Sequence, residues 1–258
     1  MDSPQAEASP ALQGGDLVRR HHIVTRLWHW TNVVTVTVML MSGLMIFNAH
    51  PRLYWGQYGA NAIGHRDYAW LDLSHVNHGI PFPGWATIPS NYSLADARLW
   101  HFAFAWLLVT ILTGYLAWSL IGGHLKRDIA PAKGELAPRH LWHDIQEHAR
   151  LRFPTGAAAL RYNILQKLAY GSVLVVLLPG VVITGLTMSP GFNAIAPFLL
   201  DLLGGRQSAR SLHFLCAGGL FAFFLVHIAM VVLAGPINEV RSMITGWYRL
   251  PGKPEEQS

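Results

Sequence analysis

RSLHFLCAGGLFAFFLVH, residues 210–227, decides how this chain reads. From Ser211 to Gly235 it carries no Asp, Glu, Lys or Arg, which is what a helix crossing a bilayer of about 20 residues' depth requires. Two histidines interrupt the apolar run. His227 follows His213 by fourteen residues, about 21 Å along a helix, and fourteen steps of roughly 100° return to nearly the same face. One apolar helix therefore presents two imidazoles in one direction at two depths. Ionisable groups at such depth are rare and mark functional positions.

The opening Arg-x-x-His-aromatic pattern recurs. RLWHW stands at 26–30 and RLWHF at 98–102, each leading into another apolar stretch. Four spans follow, roughly 27–49, 99–121, 168–188 and 211–235, none with a charged residue. Pro179 lies in the third, where neighbours must satisfy the freed carbonyl. The expected fold class is all-α, an integral membrane four-helix bundle. Composition agrees: 52% of the 258 residues are hydrophobic and 13% charged, about half the charge of a soluble domain. Ten tryptophans and eight tyrosines suit aromatic interfacial belts. The net charge of +5 is scattered among the spans, so topology and anionic lipid head groups explain it and nucleic acid does not. The single cysteine, Cys216, excludes an internal disulfide, Cys-rich metal sites and covalent c-type haem attachment.

Fourteen Lys and Arg lie in the tails and the 121–167 loop, against five on the other side (Arg52, Arg66, Arg98, Arg206 and Arg210). By the positive-inside rule both termini face the cytoplasm. Residues 1–22, without a signal-peptide core, read as a disordered tail, 23–250 as the membrane domain, and 251–258 as a second tail. The outer loop 50–97 is expected to fold over the bundle end. Residues 138–152 read as an amphipathic surface helix.

Helix direction sorts four histidines into two layers: His101 with His213 near the outer face, His29 with His227 near the inner. Two imidazoles facing across a bundle are what bis-His haem ligation uses. Zinc fits poorly, because each layer offers two ligands and no carboxylate. Arg26, Arg98 and Arg210 each stand three residues before one of these histidines, on the same face. They can meet a haem propionate or snorkel to lipid phosphate. Small pairs repeat within the spans, at Ser42-Gly43, Thr113-Gly114, Thr184-Gly185 and Gly218-Gly219. They serve either ordinary helix packing or close approach of a flat porphyrin.

With RLWHW, RLWHF, YNILQKLAY (162–170) and H-x13-H in place, the chain resembles the bacterial cytochrome b561 superfamily over about residues 20–250. It is similar to the b-type subunits of nickel–iron hydrogenase, formate dehydrogenase and thiosulfate reductase. The resemblance implies two haem b groups, with axial ligands falling on His29, His101, His213 and His227. It implies a quinone pocket near the inner haem, pointing to Asn163 and Gln166; for Asn163 a helix-cap role is the alternative. It also implies a partner that performs the substrate chemistry. The long outer loop suits docking of a periplasmic oxidoreductase, and loop-rich relatives are often associated with molybdenum-cofactor enzymes. The expected function is electron transfer between such a partner and the quinone pool. One rival is a stand-alone superoxide:quinone oxidoreductase steered by the basic outer rim. Another is a metal-ion carrier using His65, His75 and His78.

Overall fold

The computed structural model describes residues 14–61, 68–150 and 159–251. Four helices are long and apolar enough to cross a membrane: α1 (Ile23–Asn48), α2 (Leu94–Ile121), α4 (Ile164–Met188) and α7 (Arg206–Ala234). Shorter helices fill the connections: α3 (Pro138–Ala149), α5 (Pro190–Ile195), α6 (Pro197–Leu202) and α8 (Pro236–Thr245). The four long helices make this a membrane protein of the expected four-helix class.

Each span begins four or five residues before its apolar run, and at α2 and α4 a side-chain cap marks the start. The Ser93 side chain accepts from Asp96 N at the head of α2, a bond worth about 1 kcal/mol. Asn163 and Gln166 form a reciprocal capping box at the head of α4. Pro179 is accommodated upstream. The α4 ladder widens to a π-helical turn over Val173–Leu177, where Leu178 N–H reaches back to Val173 O, and then resumes as α-helix. Gly235, in the left-handed region at φ 105°, ends α7, and Pro236 opens α8.

Helix contact is concentrated within two antiparallel pairs, α1 with α2 and α4 with α7; contact between the pairs is sparse. The pairs meet in a middle layer of buried apolar side chains, Leu108 and Leu112 from α2, Leu178 and Val181 from α4, and Leu220 from α7. Outward-facing apolar residues such as Val34, Trp106, Val176 and Val226 are exposed, as a lipid-facing surface should be. Because lipid is as apolar as these side chains, packing and hydrogen bonds must hold the pairs together.

One end of the bundle, the loop end, is covered by residues 50–61 and 68–93. The short strands β2 (Arg52–Leu53) and β3 (Leu71–Asp72) pair antiparallel there. Trp70 donates its indole N–H to Ser211 Oγ at 2.9 Å, and Ser211 donates onward to Tyr54 O at 2.6 Å. Asn48 exchanges two bonds with the Phe82 backbone. The loop is thus stitched to the ends of α1 and α7.

The opposite end, the terminal end, carries the first and last described segments and corrects two expectations. Leu17–Arg19, read as disordered tail, is strand β1, antiparallel to strand β4 (Trp247–Arg249) with Val18 opposite Tyr248. Arg20 seals the pair, bonding Glu239 at 3.1 Å and lying 4.5 Å over the Tyr248 ring. The stretch after Gly235, read as a loop, contains α8 and β4. Strands of three residues show no period in a sequence, so only the pairing partner reveals them. Residues 138–149 do form the surface helix expected there. Residues 1–13 and 252–258, and with them Lys253, lie outside the described residues, as do His65, Arg66 and Arg152.

Candidate cofactor-binding site

The four span histidines meet across the gap between the helix pairs. At the loop end, His101 of α2 faces His213 of α7 with ring centroids 6.2 Å apart. At the terminal end, His29 of α1 faces His227 of α7, also at 6.2 Å. Metal–imidazole bonds of about 2.0 Å on each side, with about 1.1 Å from nitrogen to ring centroid, require a separation of roughly this value. Both pairs therefore stand at the spacing that admits one metal between two imidazoles. The middle apolar layer separates the two levels.

The loop-end imidazoles are held from behind. His101 Nδ1 lies 3.1 Å from Ser42 Oγ and 3.2 Å from Met39 O, both on α1. His213 Nδ1 lies 3.0 Å from Thr184 Oγ1 on α4. Ser42 spends its own proton on Val38 O at 2.7 Å and Thr184 on Gly180 O at 2.6 Å. Each hydroxyl oxygen must then accept from the imidazole, which places the ring proton on Nδ1 and leaves Nε2 for a metal. The glycine after each hydroxyl makes the room. A Cβ at Gly43 would sit 3.4 Å from His101 Cε1, and one at Gly185 3.3 Å from His213 Cε1.

The terminal level is built differently. His227 stacks on Phe223 with centroids 5.7 Å apart at 12°, and His29 meets Trp30 edge-on at 5.1 Å. Among the described residues, His29 Nδ1 is buried without a hydrogen-bond partner, as are Arg26 Nε, Trp28 Nε1 and Asn32 Oδ1.

These features fit haem b. Two opposed imidazoles per level would supply axial ligation, the side chains between the two levels are apolar, and unmet donors at Arg26 and Trp28 match acidic substituents. Among the described residues, no group of three or more His, Cys, Asp or Glu could hold a bare metal ion; His65 of the metal-carrier reading lies outside them.

The three arginines have protein partners. Arg26 donates to Ile244 O at the end of α8. Arg98 lies 5.6 Å over the Phe102 ring. Arg210 donates to His50 O at 2.5 Å and lies 5.9 Å over Phe47. The basic rim is likewise engaged: Arg52 pairs with Asp72 at 3.0 Å and Arg206 donates to Met188 O at 3.2 Å. Asn163 Oδ1 accepts from Gln166 N at 2.9 Å, and Gln166 Oε1 accepts from Asn163 N at 3.3 Å. Asn163 Nδ2 lies 3.2 Å from His148 Nε2 on α3. The cap thus forms, and it leaves Gln166 Nε2 and one Asn163 N–H outside the box.

Sequence reasoning noticed the Ser42-Gly43 and Thr184-Gly185 echoes but not their targets, which lie 59 and 29 residues away. It missed the terminal cluster of His21, Arg20 and Glu239. Burial, then the neighbouring Arg20, pushes His21 down to about 4. Burial raises the nearby Tyr162 phenol.

A chain from Azospira oryzae, named a protein-methionine-sulfoxide reductase subunit YedZ1, is 31% identical over 212 residues, 81% of this chain and 87% of that protein. Nickel–iron hydrogenase b-type cytochrome subunits are more distant. That of Azotobacter vinelandii is 22% identical over 238 residues, covering 86% of this chain and 84% of its own. That of Cupriavidus necator is 21% identical over 235 residues, covering 86% and 83%. No solved structure matches. The profile of the prokaryotic cytochrome b561 family matches residues 20–246, and the chain belongs to that family of membrane electron-transfer cytochromes.

Proposed function

We propose that the chain is a di-haem b-type subunit exchanging electrons between an oxidoreductase docked at the loop end and quinone at the terminal end. The single observation that carries this reading is the pair of opposed imidazoles at each level, both at 6.2 Å. Haem, when bound, supplies reversible one-electron chemistry. The chain's residues do the rest. His101 and His213 would ligate at one level and His29 and His227 at the other. Leu108, Leu112, Leu178, Val181 and Leu220 exclude water between them. Arg26, Arg98 and Arg210 border the levels and would turn toward the propionates. Asn163 and Gln166 would offer amide N–H groups to a quinone carbonyl.

The charge asymmetry supports a loop end facing the periplasm and termini in the cytoplasm. The stitched 50–97 loop offers the docking surface. The name of the Azospira relative favours a methionine-sulfoxide-reductase-like partner, in line with the molybdenum-cofactor enzymes that the family resemblance suggests.

The test is the purified full chain in liposomes. Added quinol should reduce the b-haem absorbance bands, and Asn163→Ala should slow that reduction. A preparation without b-haem absorbance, or bands that quinol leaves oxidised, overturns the reading.

A further inference from the structure

The two histidine levels are not equivalent. At the loop end each imidazole Nδ1 faces a hydroxyl that is itself polarised by a helix carbonyl, Ser42 on Val38 O and Thr184 on Gly180 O, and Met39 O stands 3.2 Å from His101 Nδ1 as a second acceptor. At the terminal level His29 Nδ1 has no such acceptor among the described residues, and His227 is braced by the Phe223 ring. The Ser/Thr-Gly unit is used only at one level. Beside Gly114 and Gly218 a Cβ would meet nothing within 4 Å, whereas beside Gly43 and Gly185 it would meet the ligand rings.

An acceptor on the remote N–H fixes an imidazole's tautomer and orientation and raises its basicity. A more basic axial ligand favours the oxidised metal, and hydrogen bonding around the ligand is one of the levers by which a protein sets haem potential. The pattern comes from two different helices acting on two different ligands, so it is not an accident of one turn. α1 serves His101 and α4 serves His213 in the same way, hydroxyl to Nδ1 and glycine to Cε1.

We propose that Ser42 and Thr184 are positioning residues that hold the loop-end haem at a lower potential than the terminal one. This rests on the four-histidine reading above and deepens it. Gly43 and Gly185 belong to the same arrangement, because a Cβ there would stand against the imidazole Cε1 at 3.4 and 3.3 Å.

The test is a potentiometric titration of the full chain as isolated with its haem, read by b-haem absorbance, after haem content has been counted. Wild type should show two waves. Ser42→Ala and Thr184→Val should each move the lower wave upward and leave the higher in place, and Thr184→Ser, which keeps the hydroxyl, should restore the wild-type value. If Thr184→Val loses a haem, Ser42→Ala and Thr184→Ser carry the measurement. Waves that stay put in Ser42→Ala at full haem content overturn the assignment, as does movement of the higher wave. A wild-type chain without haem overturns the four-histidine reading itself, a distinct failure seen at the counting step.

Discussion

Alanine at His101 and His213 together should remove one haem, whereas alanine at His101 and His227 together should remove both. The arithmetic comes from the pairing. In the proposed di-haem reading each level, with ring centroids 6.2 Å apart, would offer two nitrogens to a single iron. Loss of either nitrogen leaves one-sided ligation, so every single variant is expected at half the wild-type haem. A second substitution at the same level removes nothing more. A second at the other level takes the remaining haem. His213 and His227 are about 21 Å apart along α7, so a histidine of one level cannot stand in at the other. The assay is pyridine haemochrome per mole of purified chain, with elution volume in detergent as a check that each variant folds. A His101/His213 double variant without haem, or a His101/His227 double variant that keeps half, would refute the pairing even if the chain still bound haem.

Two further outcomes follow from the terminal end. His21 titrates at about 4 in the folded chain against 6.5 for the free side chain. The unfolded chain therefore binds the extra proton between those values, and stability is complete above pH 6.5 and falls as pH drops toward 4. The full difference is about 3 kcal/mol, and His21→Gln should flatten the dependence of melting temperature on pH; an unchanged slope sinks the attribution. At the head of α4, Asn163→Ala removes the cap, worth about 1 kcal/mol. Amides 164–167 should exchange roughly fivefold faster, and equal exchange rates would show that the capping box contributes nothing there.

The spans and the histidine levels could be read from sequence because their signals are local or periodic. A charge-free run needs no partner to be recognised, and fourteen residues between His213 and His227 fix a depth and a face. What escaped depends on distant pairing. Val18 is legible as a strand only opposite Tyr248, and Arg20 as a buried cation only beside Glu239. The hydroxyls of Ser42 and Thr184 were visible as an echo, but their role is defined by imidazoles on other helices. Helix starts were misjudged by a turn because hydropathy reports where lipid begins, while Ser93 and Asn163 report where the backbone turns.

The division of helix contact into two pairs bears on how the chain is made. Each hairpin holds itself together, so each can enter the bilayer as a finished unit before the other arrives. Their union rests on the middle apolar layer, with little other contact between the pairs. Haem at the two histidine levels would act as the rivet of final assembly. A chain synthesised during haem shortage would remain two hinged hairpins with Arg26 Nε and Trp28 Nε1 unmet, a substrate for membrane proteolysis. Supply of the cofactor would then set how much of the protein accumulates, with no regulator of its synthesis required.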